Sequence, residues 1–267
     1  MRTDPLLSRV CDLAREAGRG ILAHYRTGAA VETKADQSPI TAADRDAHRI
    51  ICDGLSTLTP DIPVLSEETE DVDHVERRTW SRFWLVDPLD GTKEFIKGTD
   101  EFTVNIALIE GERASQGVLF APALDDLYWA GRDTGAWRSV AGEPARPIRC
   151  RPADRSRLTV VASRSHQSKA VKALLARLPG AHCASMGSAL KLCLVASGAA
   201  DLYPRLGPTM EWDTGAAHCI VEVAGGQVVD TAGRPLRYNK EDLHNPFFIC
   251  VGDPALDWRS LLPEAAG

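Results

Sequence analysis

With 267 residues, 44% of them hydrophobic and 25% charged, the chain has an ordinary globular composition and enough length to bury a large core in one or two domains. Its 31 Lys and Arg against 37 Asp and Glu leave a net charge of -6, which excludes general nucleic-acid binding through a basic face but not an anionic substrate, because bound cations can reverse the local sign. Seven cysteines without C-x-x-C spacing speak against a disulfide framework or a zinc site and read as reduced thiols of a cytosolic protein.

The start, Met1-Arg2-Thr3-Asp4-Pro5, lacks a signal-peptide apolar region, and no apolar stretch reaches the roughly 18 residues needed to span a membrane, so a cytoplasmic location is expected. After Pro5, the residues Leu6, Val10, Leu13, Ala14, Ala17, Ile21 and Tyr25 recur at helical spacing and predict an opening amphipathic helix. A second helix is predicted over 42–58, where Thr41-Ala42-Ala43-Asp44 precedes Ala47, Ile50, Ile51 and Leu55; Asp44 there reads as a partner of the helix N-terminus. A short apolar segment, Ile62-Pro63-Val64-Leu65, ends in Ser66-Glu67-Glu68, and the buried-strand run Phe83-Trp84-Leu85-Val86 ends in Asp87-Pro88-Leu89-Asp90-Gly91-Thr92. Strands are expected at 103–109, 115–120 and 127–130.

The stretch 140–157, rich in Gly, Pro and Arg, marks a boundary, giving an N-terminal α+β domain 1–153 and a smaller α/β domain 154–267. In the second, a strand is predicted at 158–161, helices at 169–178, 188–197 and 213–224, a stop at Gly225-Gly226 and a strand at 227–230. There is no internal repeat.

Three distant segments thus deliver acids at element ends. Carboxylates gathered in one pocket repel each other and are costly to desolvate, so a fold keeps them together only where cations or protons neutralise them. Magnesium, hard and oxygen-seeking, suits Glu67, Asp87, Asp90 and Asp213, and four carboxylates against two or three such ions leave room for a phosphate. The Pro-Leu turn between Asp87 and Asp90 would add the Leu89 carbonyl as a main-chain ligand, while Gly91 and Thr92 would offer amide N–H groups to phosphate. An Asp-Gly pair after a strand is, by itself, only a turn; the combination with Glu67 and a later Trp-Asp carries the metal reading.

Leu65-Ser66-Glu67-Glu68, Trp84 to Phe95 with its Asp87-Pro88-Leu89-Asp90-Gly91-Thr92 core, and Trp212-Asp213-Thr214-Gly215-Ala216-Ala217 resemble the three motifs of the inositol monophosphatase superfamily, which includes the fructose-1,6-bisphosphatases. Within it, the chain is most similar to bacterial 3'(2'),5'-bisphosphate nucleotidases of the CysQ type, a likeness carried also by Lys34 to Asp44, Glu101 to Ala107, Ser163-Arg164-Ser165-His166 and Leu202-Tyr203-Pro204-Arg205. The resemblance implies an α/β (α+β) sandwich of alternating helix and sheet layers. It implies a magnesium-dependent, lithium-sensitive phosphatase that takes the 3'-phosphate from adenosine 3',5'-bisphosphate, a by-product of sulfate activation, and accepts 3'-phosphoadenylyl sulfate. The implied metal ligands are Glu67, Asp87, Leu89, Asp90 and Asp213, and Asp44, Thr92 and Glu67 are implied in the catalytic step, with Asp44 and Thr92 orienting the attacking water. Glu67, Leu89, Gly91, Thr92, His166, Ser188, Lys191, Arg205 and Asp213 are implied substrate contacts, Lys191 and Arg205 forming a second anion site. A loose association with the inner membrane is a further property of such relatives.

Other readings remain open at this stage. An inositol monophosphate or fructose bisphosphate is the rival substrate, and a nucleotide-binding regulator would use the same pocket without its chemistry. The D-x-D-G-T motif of haloacid-dehalogenase-type phosphatases is only superficially similar, because Leu89 lies two positions after Asp87 and Thr92 two after Asp90, so neither acid has its partner acid. No G-x-x-x-x-G-K-S/T motif supports a kinase or NTPase.

Overall fold

Successive residues of the central strands join different apolar clusters, which sorts the described residues into stacked helix and sheet layers. The computed structural model describes residues 4–27, 31–33, 39–69, 72–162, 169–178 and 180–262. Helix α1 (Pro5–His24) starts where the Asp4 side chain accepts from the amides of Leu6 (2.9 Å) and Leu7 (3.3 Å), with Pro5 in the first turn, where its missing N–H leaves no bond unmade. Its face of Leu7, Val10, Leu13, Ala14, Ala17 and Ile21 is buried; Leu6 stays partly exposed. A ribbon of β1 (Val31–Thr33) and β2 (Pro39–Thr41) leads into α2 (Ala42–Leu58), which packs along α1.

The larger sheet runs in chain order through β3 (Val64–Ser66), β4 (Arg82–Asp90), β5 (Thr103–Glu110), β6 (Arg113–Ala121), β7 (Asp126–Gly131), β8 (Gly135–Val140) and β9 (Arg146–Pro147). Its β3–β4 pair is parallel and the rest antiparallel. Helices α3 (His74–Arg77) and α4 (Thr92–Lys97) flank β4 in sequence. On β5, Val104, Ile106 and Leu108 pack with α1 and α2, whereas Ala107 and Ile109 face helices of the C-terminal half. Burial on both faces is why these strands read as nearly continuous apolar runs.

The connection 148–158 leads to a second sheet with spatial order β11 (His182–Ser185), β10 (Thr159–Ala162), β12 (Leu202–Arg205), β14 (Phe248–Val251) and β13 (Gln227–Asp230). Helices α6 (Leu190–Ala196) and α7 (Glu211–Val223) fill the space between the sheets: Leu190, Cys193, Trp212 and Ile220 share one cluster with Leu85 and Tyr128 of the first sheet and Phe248 and Cys250 of the second. On the far face of the second sheet, α5 (Lys169–Ala176) adds Val171 and Leu174 to Val160, Leu202 and Ile249. Helix, sheet, helix, sheet and helix therefore alternate, the layered α/β architecture anticipated above. The α7 layer lies very close to the first sheet: a Cβ on Gly117 would meet the Ala216 carbonyl oxygen at 2.2 Å, so the Gly215-Ala216-Ala217 run and Gly117 satisfy one packing requirement.

Several boundaries differ from the sequence reading. Helix α6 starts at Leu190 rather than at 188, because Ser188 adopts a left-handed backbone (φ 46°). Helix α5 ends at Ala176 rather than 178, since Arg177 and Leu178 donate to carbonyls three residues back and tighten the last turn. Helix α7 starts at Glu211, two residues before the expected 213, and this makes Asp213 its third residue. Strands β11, β12 and β14 were not anticipated; Pro204 disguised β12, whose pairing to β10 reaches only Leu202. All seven cysteines are free, and no described helix is long and apolar enough to cross a membrane.

Candidate active site

Asp87 and Asp90 converge because β4 bulges. Residues three apart on a regular strand point to opposite faces, but Asp87 pairs with Asn105 and Asp90 with Thr103, so Pro88 and Leu89 together oppose the single residue Val104. The extra residue turns Asp90 back toward Asp87. Asp213 joins them from α7, and one carboxylate oxygen from each of the three lies within 4.8 Å of the others.

In each acid a backbone amide holds one oxygen. Leu89 N donates to Asp87 Oδ1 (3.0 Å), Ala189 N to Asp90 Oδ2 (2.6 Å) and Met210 N to Asp213 Oδ2 (2.9 Å). These bonds fix the orientation of each carboxylate within the cluster. Glu67 opens a 3-10 turn at the end of β3, and its carboxyl bears on Asp87 by both charge and hydrogen bonding. Burial above all, then Glu67, Asp90 and Asp213, pushes the Asp87 pKa well up. Asp213 rises to about 8, from burial first and Asp90 next. Asp90 is raised by burial and drawn back by Lys191 and the Ala189 amide. A buried, all-oxygen donor set whose members raise one another's pKa is the chemistry that fits a hard divalent cation.

Asp44 does two things at once. Its Oδ2 accepts from the backbone N (2.7 Å) and the hydroxyl (2.6 Å) of Thr41, forming the capping box at the start of α2, while Oδ1 lies 3.3 Å from Thr92 Oγ1. The cap and the contact to Thr92 are therefore not alternatives. Burial raises the Asp44 pKa against the lowering effect of the Thr41 bonds. Thr92 Oγ1 is equally 3.3 Å from the Leu89 carbonyl oxygen, so its one proton can go to either acceptor. Gly91 holds φ 93° just before α4, and a Cβ there would press within 3.2 Å of the Glu101 carbonyl oxygen and 3.3 Å of Ser188 Cβ.

From Asp90 and Asp213 a cavity of about 770 Å³ extends past Ser188 to Lys191, Tyr203 and Arg205. Lys191 is 7% exposed, which rules out a solvated surface charge; its Nζ lies 5.8 Å from the centroid of the Tyr203 ring. Burial, partly offset by Asp90, lowers its pKa to about 8. Arg205 donates from Nη2 to the Pro208 carbonyl (2.6 Å), while its buried Nε has no partner. Ser188 Oγ bonds Thr103 Oγ1 at 2.9 Å. His166, and the Lys34–Ser38 part of the first similar segment, lie outside the described residues.

Residues without an assigned role complete the frame. Glu211, 0% exposed, accepts from the amides of Asn239 (2.6 Å) and Lys240 (3.0 Å) and from Lys240 Nζ. Arg77 donates to the Val72, Lys240 and Glu241 carbonyls and to Asn239 Oδ1, so it ties the segment following Glu67 to the turn that Glu211 holds. Asn105 is 1% exposed, and neither its Oδ1 nor its Nδ2 has a partner. A lone amide inside the apolar run 104–109, within the similar segment Glu101 to Ala107, was the sequence signal for it; Arg77 had none.

The model of the inositol monophosphatase family matches residues 2–248. The chain is 49% identical over 246 residues to the 3'(2'),5'-bisphosphate nucleotidase CysQ of Escherichia coli strain K12, covering 91% of this chain and 98% of that one. It is 36% identical over 258 residues to the Haemophilus influenzae protein of the same name, covering 96% of each. Among solved structures, CysQ from Bacteroides thetaiotaomicron, a bacterial member of the inositol monophosphatase family, superposes with a TM-score of 0.81 at 41% identity, over 92% of this chain and 96% of that one.

Proposed function

The chain belongs to the inositol monophosphatase family, and from that premise we propose that it is a 3'(2'),5'-bisphosphate nucleotidase, releasing the 3'-phosphate of adenosine 3',5'-bisphosphate to leave AMP and accepting 3'-phosphoadenylyl sulfate as well. The observation that carries this reading is the shape of the charge in the cavity: an acid cluster for cations and one phosphate at one end, and the cations Lys191 and Arg205 for a second anion at the other. A substrate with a single phosphate would leave the buried Lys191 and the Arg205 Nε unanswered.

Glu67, Asp87, Asp90, Asp213 and the Leu89 carbonyl would hold two or three magnesium ions. Once bound, these ions supply charge neutralisation and polarise the phosphoryl group. The chain's own groups do the rest. Thr92 Oγ1, donating to Asp44 Oδ1, leaves its lone pairs free to take a proton from a water aimed at phosphorus as its own proton passes to Asp44, which ends neutral. Its raised pKa makes Asp44 a better acceptor than an ordinary aspartate. Gly91, lacking a side chain, lets a phosphate come up to the start of α4, and Ser188 lines the passage to the nucleoside; His166 keeps the nucleotide contact that the resemblance implies. Lys191 and Arg205 bind the second phosphate by charge and by a guanidinium fork, respectively.

We place the division of the chain near residues 153 and 154, with Asp213 reaching the N-terminal acids from the second part, and the site of action in the cytoplasm. The test is phosphate release from adenosine 3',5'-bisphosphate, inositol 1-phosphate and fructose 1,6-bisphosphate, each with and without magnesium. Magnesium-dependent preference for the nucleotide is expected. A preference for either sugar phosphate defeats the nucleotide assignment, and turnover unchanged by chelation defeats the metal site.

A further inference from the structure

Asn105 lies directly opposite Asp87 in the antiparallel β4–β5 pair, before the bulge begins. Residues so paired share a face of the sheet, with Cβ atoms about 4.5–5.5 Å apart. The preceding pair on that face, Leu85 and Ala107, packs beneath Gly215 of α7. One step along, Asp87 and Asn105 come under the end of α7 that carries Asp213. Both polar atoms of the Asn105 amide are buried there without a hydrogen-bond partner. A buried amide left unmatched is destabilising, and an apolar residue of the same size would suit a position next to Leu85 and Ala107 on that face better.

From this placement we infer that Asn105 is a positioning residue for the cations held by Asp87: its amide belongs to the cation-loaded site, not to the core. The inference rests on the metal reading given above. A hydration water of a divalent cation has its lone pair turned to the ion and offers only protons, so it requires acceptors nearby. In the cation-loaded site Asn105 Oδ1 would be such an acceptor, and Nδ2 would have a carboxylate oxygen of the cluster to donate to. A carboxylate at this position would add one more like charge beside Asp87, whose pKa is already raised by three neighbouring acids; an aliphatic side chain would offer no bond at all. Only a neutral side chain with both a donor and an acceptor serves the loaded site without worsening the repulsion.

The consequence is a divergence of sign that a purely structural residue would not give. In Asn105→Leu, the cation-free protein should melt about 2–4 °C higher than wild type, because the unmatched amide is gone. The same variant should bind Mn²⁺, measured by calorimetry without substrate, about tenfold more weakly. A lowered melting temperature together with an Mn²⁺ Kd within twofold of wild type overturns the inference. Asn105→Ala covers the case in which leucine prevents folding: it too should weaken Mn²⁺ about tenfold, and an unchanged Kd in it is equally decisive. Wild-type protein that fails to bind Mn²⁺ removes the metal reading itself, whereas wild type and variants that bind it equally remove only the role of Asn105.

Discussion

Replacing Asp44 by Asn separates the two tasks that its oxygens perform. The oxygen facing Thr41 takes bonds of 2.7 Å and 2.6 Å, which an amide carbonyl accepts as well, so the cap of α2 survives. The loss of a buried charge with a raised pKa adds no penalty of its own, and stability should stay within about 1 kcal/mol of wild type. The group facing Thr92 at 3.3 Å changes from acceptor to donor, which turns the Thr92 proton to the Leu89 carbonyl and leaves the hydroxyl without its acceptor acid. Turnover should therefore fall by about 10²–10⁴. Asp44→Ala removes the cap too and should cost about 1–2 kcal/mol with a similar fall in rate. Phosphate release from adenosine 3',5'-bisphosphate at saturating magnesium, thermal melts and Mn²⁺ binding on all three proteins give the comparison. An Asn variant that keeps more than about a tenth of the turnover contradicts the relay reasoning, as does one whose lost rate is matched by lost metal affinity.

Unfolded carboxylates titrate near pH ~4, whereas folding raises Asp87 and Asp90 and brings Asp213 to about 8. The cation-free fold thus binds more protons than the unfolded chain between these limits, and its stability falls as the pH rises from about 4 toward 8. Melts in chelator should show that decline, and magnesium should raise the melting temperature more at about pH 8 than at about pH 5; equal gains at both values would speak against a cation in this cluster. Arg205→Ala should raise KM for adenosine 3',5'-bisphosphate far more than for a nucleoside monophosphate, and equal effects on the two would sink the second anion site. Arg77→Met leaves three carbonyls and the Asn239 side-chain oxygen unmatched, so denaturant melts should show a loss of about 2–4 kcal/mol; a loss under about 1 kcal/mol would mean that water replaces those bonds.

The acids, their order and the strands that carry them could be read from the sequence because each rests on a local cause. An apolar run that breaks into Asp-Pro-Leu-Asp-Gly-Thr ends a buried strand, and a Thr three residues before Asp44 starts a helix, whatever the rest of the chain does. The same locality misled at α6 and β12, where Ser188 holds a left-handed backbone and Pro204 sits inside a strand that pairs along its whole length with β14.

Distance was decided elsewhere. That Asp90 turns toward Asp87 depends on one surplus residue in the pairing with β5, and that Asp213 meets them depends on α7 settling against Gly117 within a contact no side chain would permit. The seating of Lys191 beside Tyr203, the grip of Arg77 on a turn 162 residues away and the placement of Asn105 opposite Asp87 are likewise products of tertiary packing and pairing. Spacing along a chain records which groups are available, but electrostatic coupling falls with separation in space, and only the folded layers set that separation.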